Sequence, residues 1–161
     1  MYESYWNLQR RPFESVSDSD FYFPAESHQG ALLKLRYAVE NRKGAALLAG
    51  DHGAGKTFLA DVLSRETSEA FRPFVHMVFP CMPAADLLAY LADELAAPRP
   101  DGPASVEQSV RRIQQALSEN TRQGRHAVIC MDEAHLLEDP ECWDALRLLC
   151  NFQSDGAPDF T

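Results

Sequence analysis

Gly50-Asp51-His52-Gly53-Ala54-Gly55-Lys56-Thr57 is the stretch whose reading decides the fold. It has the spacing G-x-x-x-x-G-K-[ST]. Glycines let such a loop curl so that successive backbone N–H groups point inward at phosphate oxygens. Lys56 brings a cation to the β- and γ-phosphates, and the Thr57 hydroxyl is suited to ligate Mg²⁺. Phe58-Leu59-Ala60-Asp61-Val62-Leu63 continues with helical spacing, so the positive end of a helix dipole adds to the loop. Ala45-Ala46-Leu47-Leu48-Ala49 precedes it as a short apolar run that reads as a buried strand. Strand, glycine loop and helix together form the context this motif requires. The competing reading is an ordinary glycine-rich turn. The phosphate-contacting set expected from the motif is Gly50, Asp51, His52, Gly53, Ala54, Gly55, Lys56, Thr57 and Phe58. His52 sits at a variable position, where its backbone matters more than its ring.

Outward from the loop, strands alternate with helices. A helix is expected from about Glu26 to Arg42, closed by Asn41-Arg42-Lys43-Gly44. Another runs from Lys56 to about Glu69. Arg72-Pro73 breaks the chain, and Phe74 to Phe79 reads as a second strand, nearly all apolar, as a strand covered on both faces should be. A helix from about Ala84 to Ala97 carries Leu87, Leu88, Leu91 and Leu95. Pro98 to Pro103 reads as a surface connector. Ser105-Val106-Glu107-Gln108 has the S-x-x-Q form of a capping box and opens a helix ending near Gly124. Ala127 to Met131 is a third buried strand, and a helix follows Pro140. Gln153 to Thr161 reads as a loop. This alternation implies a parallel sheet with helices on both faces, whose ligands sit at the carboxyl ends of the strands.

Asp132-Glu133 stands at such an end, after Ala127-Val128-Ile129-Cys130-Met131. An apolar run closed by Asp-Glu is the second half of a phosphate-loop hydrolase site. Asp132 would hold Mg²⁺ opposite Thr57, mostly through water. Glu133 has the place of a general base that orients the attacking water. Adjacent residues at a strand end point in different directions, so two carboxylates can take two tasks. Alone this motif is weak, because any strand can end in Asp-Glu, and the competing reading is a solvated strand end; the two motifs together are strong. His135 reads as a polar residue on the following helix, with a catalytic or coupling role as the alternative. His28 and His76 have no partners at metal-ligand spacing.

At 161 residues the chain is one domain with room for a real core. Its net charge of −9 excludes generic nucleic-acid binding through bulk charge. Gln9-Arg10-Arg11 and Arg111-Arg112 are the small basic candidates, with solvated surface arginines as the plainer reading. Cys81, Cys130, Cys142 and Cys150 show no C-x-x-C spacing, and no Cys/His cluster suggests zinc. Cys81 and Cys130 are expected to be small core hydrophobes in a reducing, cytoplasmic setting. The N-terminus lacks the pattern of a signal peptide, and no apolar run approaches the roughly 18 residues of a membrane span. Residues 1–25 carry rings without clear period: Tyr5-Trp6, Phe13, Phe21-Tyr22-Phe23. This aromatic segment is expected to pack on the core formed by residues 26–161, either as a cover for that core or closing over a nucleotide base.

The sequence resembles the AAA+ ATPases of the ExeA/GspA type, the secretion-pathway A ATPases, and more loosely the transposition helper ATPases. The residues that carry this are Tyr5-Trp6-Asn7-Leu8…Arg11-Pro12-Phe13, Phe23-Pro24…His28, Lys43-Gly44, Gly50 to Thr57, Asp132-Glu133-Ala134-His135 and Leu146 to Phe152. The resemblance implies an α/β P-loop NTPase (AAA+-like) three-layer sandwich with a parallel sheet, incomplete at the C-terminus. It implies ATP and Mg²⁺ as cofactors, Lys56 and Thr57 on phosphate and metal, Asp132 supporting the metal, and Glu133 and Lys56 as the catalytic pair. It implies a homo-oligomeric ring, and a protein partner in a secretion or a transposition system. DNA stays open as a partner of the transposition branch, though charge does not point to it. Membrane association would come through regions beyond Thr161.

The family pattern also demands what these residues lack. A further strand bearing a γ-phosphate sensor is expected just after Thr161, lying between the Gly44–Ala49 and Ala127–Met131 strands. An arginine finger, a second sensor and a lid are expected later. ATP hydrolysis by these 161 residues alone is therefore expected to be weak or absent. Two other functions compete: a nucleotide-gated scaffold with little turnover, and a small-molecule kinase, which Glu133 beside Asp132 disfavours. No N-K-x-D segment for guanine is present.

Overall fold

The computed structural model describes residues 2–9, 11, 21–95, 105–154 and 156–161. A short helix α1 (Tyr2–Tyr5) precedes α2 (Glu26–Glu40) and α3 (Lys56–Glu66). Strand β1 (Phe74–Met77) leads to α4 (Ala84–Glu94) and α5 (Val106–Arg122). Strand β2 (Val128–Met131), helix α6 (Pro140–Leu149) and a hairpin of β3 (Gln153–Ser154) and β4 (Ala157–Pro158) complete the order. The expected loop at residues 15–20, the connector at 98–103 and Arg10 lie outside the described residues.

β1 and β2 pair in parallel, with Phe74 opposite Val128 and Met77 opposite Met131. Side chains alternate across this ribbon. Val75, Met77 and Ala127 point into a cluster with Leu87, Leu91, Ile113 and Leu117, all four of those helix residues fully buried. Phe74 and Val128 point the other way, against Leu32, Val39, Leu59 and Leu63 of α2 and α3. Helices α4, α5 and α6 therefore cover one face and α2 and α3 the other, a three-layer α/β/α arrangement. Each fully buried leucine or isoleucine contributes about 1.5–3 kcal/mol of transfer free energy. Helix α5 starts as its capping box predicts: Gln108 N–H donates to Ser105 Oγ and Ser105 N–H to Gln108 Oε1. Helix α6 begins at Pro140, with the Asp139 carboxylate accepting from Glu141 N–H.

Three expectations are corrected. Ala45–Ala49 is not a strand: it has no ladder partner among the described residues, and Leu47 is 88% exposed. A strand is a paired structure, and an apolar run without a neighbour to bond has no reason to hold that geometry. Between this segment and β2 lies a cavity of about 490 Å³, with Leu48, Val128, Cys130 and Leu149 in its wall. It occupies the position between the Gly44–Ala49 and Ala127–Met131 stretches where sequence reasoning places a further strand. Second, Gln153 to Thr161 is not simply a loop. After the hairpin, Phe160 bridges Ala127 in parallel, Thr161 N–H donates to Ala127 C=O at 3.1 Å, and Ile129 N–H donates to Thr161 C=O at 2.9 Å. These residues begin a ladder on the free edge of β2, beside the cavity. Third, Cys81 is exposed, because β1 ends at Met77 and Val78 and Phe79 already face solvent.

Candidate functional site

The phosphate loop takes its shape from two glycines. Gly53 and Gly55 have φ near +78° and +79°, a region that other residues enter at a cost. A Cβ at Gly55 would stand in ordinary contact, 3.4 Å, with His28 Nε2, so the requirement for glycine there is the positive φ. Lys56 Nζ donates to the carbonyls of Gly50 at 3.1 Å and Asp51 at 3.0 Å, so the ammonium caps the loop it follows. Lys56 opens α3, whose first N–H groups lack partners within the helix and face the loop. His52 is exposed.

β2 delivers Asp132 to the same place. Thr57 Oγ1 donates to Asp132 Oδ2 in a short hydrogen bond, joining residues far apart in the chain. Asp132 Oδ1 accepts from Glu133 N–H at 2.8 Å, which holds the carboxylate in one orientation. Asp132 is buried, whereas Glu133 is partly exposed. Glu133 lies at φ +48°, uncommon for a residue with a side chain. Its carboxylate Oε2 lies 3.2 Å from the exposed His135 Nδ1. His135 is on a short 3₁₀ turn, Ala134–Leu136.

The residues fit a divalent cation of the Mg²⁺ kind. Thr57 and Asp132 present two hard oxygen donors on one spot. Mg²⁺ is commonly held by one or two protein oxygens, its other positions going to water and phosphate. Among the described residues no group of three His, Cys, Asp or Glu side chains has the arrangement of a dedicated all-protein metal cage. Cys130 lies close by on β2 but is not a candidate ligand: burial, then Asp132 and Asp61, push its thiol up to about 11.

Sequence reasoning gave no contact to two histidines that it named. His28, near the start of α2, places Nε2 3.1 Å from the Ala54 carbonyl and so braces the loop from outside. His76, on β1, places Nδ1 3.3 Å from Asp61 Oδ1 and Nε2 4.0 Å from Asp132 Oδ2. Linear spacing held no signal for either, since their partners come from other elements. In the aromatic segment, Tyr22 packs against Phe58 at a ring-centroid distance of 5.9 Å, while Tyr5, Trp6 and Phe23 are largely exposed. The basic candidates are internally matched: Arg11 pairs with Glu3, Arg111 with Glu107 and Arg112 with Asp93.

A glycine loop ahead of a helix, joined by its threonine to a carboxylate at the end of a parallel strand, defines a P-loop nucleotide-binding protein. The chain belongs to the AAA domain family, whose model matches residues 39–159. It is similar to General secretion pathway protein A of Aeromonas hydrophila. The two are 31% identical over 156 residues, which is 96% of this chain and 28% of that protein. The chain thus spans little more than a quarter of the length of that relative. No solved structure matches it. Among the described residues no helix is long and apolar enough to cross a membrane.

Proposed function

We propose that the protein binds ATP with Mg²⁺ at Gly50–Phe58 and hydrolyses it with Asp132 and Glu133, as the motor of a secretion-related assembly. The observation that carries this is the Thr57–Asp132 hydrogen bond, which unites the two halves of the site. The loop N–H groups and Lys56 bind the phosphates, Lys56 exchanging its two loop carbonyls for phosphate oxygens. Thr57 and Asp132 hold the cation. When bound, the cation supplies Lewis-acid stabilisation of charge on the phosphate oxygens. Glu133 accepts the proton of the attacking water, and its swing away from His135 frees the carboxylate for that task.

The similarity to a secretion-pathway protein supports the secretion branch over the transposition branch. A ring of copies, with nucleotide between neighbours, and a protein partner of a secretion system belong to this reading, as does a cytoplasmic ATPase portion. The test is Glu133→Gln against the unaltered protein, measuring ATP affinity and phosphate release together. Retained affinity with lost turnover is expected. Unchanged turnover would overturn the role of Glu133, and no ATP binding by the unaltered protein would overturn the site.

A second reading rests on the cavity beside β2. With Ala45–Ala49 unpaired, the segment that carries the phosphate loop is not braced by a sheet on either edge. These 161 residues would then bind nucleotide but turn it over weakly, acting alone as a nucleotide-gated scaffold. Near-normal turnover by the isolated chain would remove that reading.

A further inference from the structure

Thr57 and Asp61 lie one turn apart on α3 and so share a face. That face looks onto β1 at His76, which stands opposite Cys130 in the β1–β2 register. Asp132 is two residues beyond Cys130 and returns to the same side of the ribbon. His76 therefore sits between two carboxylates, Asp61 at 3.3 Å from Nδ1 and Asp132 at 4.0 Å from Nε2. Nε2 is buried and has no hydrogen-bond partner.

A carboxylate only accepts, so contact with Asp61 calls for the proton on Nδ1, and in the neutral ring Nε2 then carries the lone pair. Across the gap Asp132 Oδ2 also only accepts, and 4.0 Å is beyond hydrogen-bond range. Two acceptors at that separation are reconciled by a donor with two protons, which is what a water between them provides. Oδ2 is the same oxygen that takes the Thr57 hydroxyl, so this gap opens on the cation half of the site.

We propose that His76 is a positioning residue for that half of the site. Asp61 fixes its tautomer, and the Nε2 lone pair anchors a water of the cation's coordination sphere beside Asp132. A buried imidazole acceptor left unpaired costs free energy, and a water held there removes the cost while ordering the Asp132 carboxylate. The inference rests on reading Gly50–Thr57 and Asp132 as a nucleotide–cation site.

The experiment measures Mn²⁺ affinity by electron paramagnetic resonance with saturating ADP, and ADP affinity in excess EDTA, for His76→Ala, His76→Asn, His76→Gln and Asp61→Asn. Ala and Asn remove the acceptor at Nε2 and are expected to weaken Mn²⁺ about tenfold. ADP affinity in EDTA is expected to stay within about twofold. Gln extends an amide oxygen toward the Nε2 position and is expected to recover most of the cation affinity. Asp61→Asn leaves His76 in place but releases its tautomer, and is expected to lose several-fold; it carries the test if the His76 variants do not fold. Unmoved Mn²⁺ affinity, or an equal loss of ADP affinity in EDTA, overturns the inference. Lys56→Ala separates the two readings. If the unaltered protein binds no ADP, both fall; if it binds ADP and loses it in Lys56→Ala while cation affinity ignores His76, only the present inference falls.

Discussion

The two flanks of the β1–β2 ribbon are built to different standards of closure. On the β1 side, Leu87, Leu91, Ile113 and Leu117 are fully buried between α4, α5 and the sheet. On the β2 side, the apolar segment Ala45–Ala49 lies across a cavity of about 490 Å³, and Leu47 and Trp143 stay substantially exposed. The same chain places comparable hydrophobic residues on both flanks. The difference lies in what they can pair with. A helix satisfies its own backbone and needs only an apolar neighbour, so α4 and α5 pack completely. A strand needs a hydrogen-bonding partner along its edge, and Ala45–Ala49 finds none among the described residues. The proposed nucleotide loop hangs from the less complete flank, so the closed core and the proposed chemistry lie in different parts of the molecule.

If that division holds, Glu133→Gln should show the largest effect and should show it only in turnover. Phosphate release is expected to fall by about 10²–10⁴-fold, with the melting temperature little changed, because the Glu133 carboxylate is partly exposed. A parallel collapse of folding would break the comparison. Leu117→Ala probes the closed flank. Its side chain is fully buried, so unfolding free energy by urea titration is expected to drop by about 2–5 kcal/mol. A loss under about 1 kcal/mol would mean that the α4–α5 core is not the stable part.

The third probe lies between the flanks. His126 is buried ahead of β2, with its ring edge-on to Phe71 and Nε2 at 2.8 Å from Thr161 Oγ1. Burial, with help from Arg42 and against the pull of Asp159, holds its pKa down to about 4 from 6.5. The unfolded chain takes up this proton near pH 6.5, while the folded chain resists until about pH 4. Stability is therefore full above pH 6.5 and declines as pH falls through that window. At pH 5 the loss from this residue is about 2 kcal/mol. Melting temperatures of the protein and of His126→Gln across that range check it; the difference between them should narrow as pH falls, and parallel curves would remove His126 as the cause. The smallest effect is expected at Leu47→Ser, within about 0.5 kcal/mol, because an exposed side chain has little burial to lose. A cost of 2 kcal/mol or more would show that the open flank is closed in solution.

Much of this was legible in the residues. The capping box at Ser105 and Gln108 formed as its spacing predicts, because a cap involves groups three positions apart. The strands at Phe74 and Val128 were found, though β1 stops two residues early, at Met77. The hairpin at Gln153–Pro158 was not foreseen. Its turn residues were read as loop, and only the pairing of Ser154 with Ala157 distinguishes the two. Cys81 was misplaced for the same reason in reverse: an apolar run predicts a strand, but not where its partner ends.

The local geometry at Gly53, Gly55 and Lys56 is the part set by near neighbours. Positive φ at two glycines and a helix beginning at Lys56 are properties of a few consecutive residues. The fate of Ala45–Ala49 and the meeting of Asp61, His76 and Asp132 were not written at that range. Each depends on which distant segments lie alongside, and hydrogen bonds between strands and contacts across a packed ribbon exist only once the chain has brought those segments together.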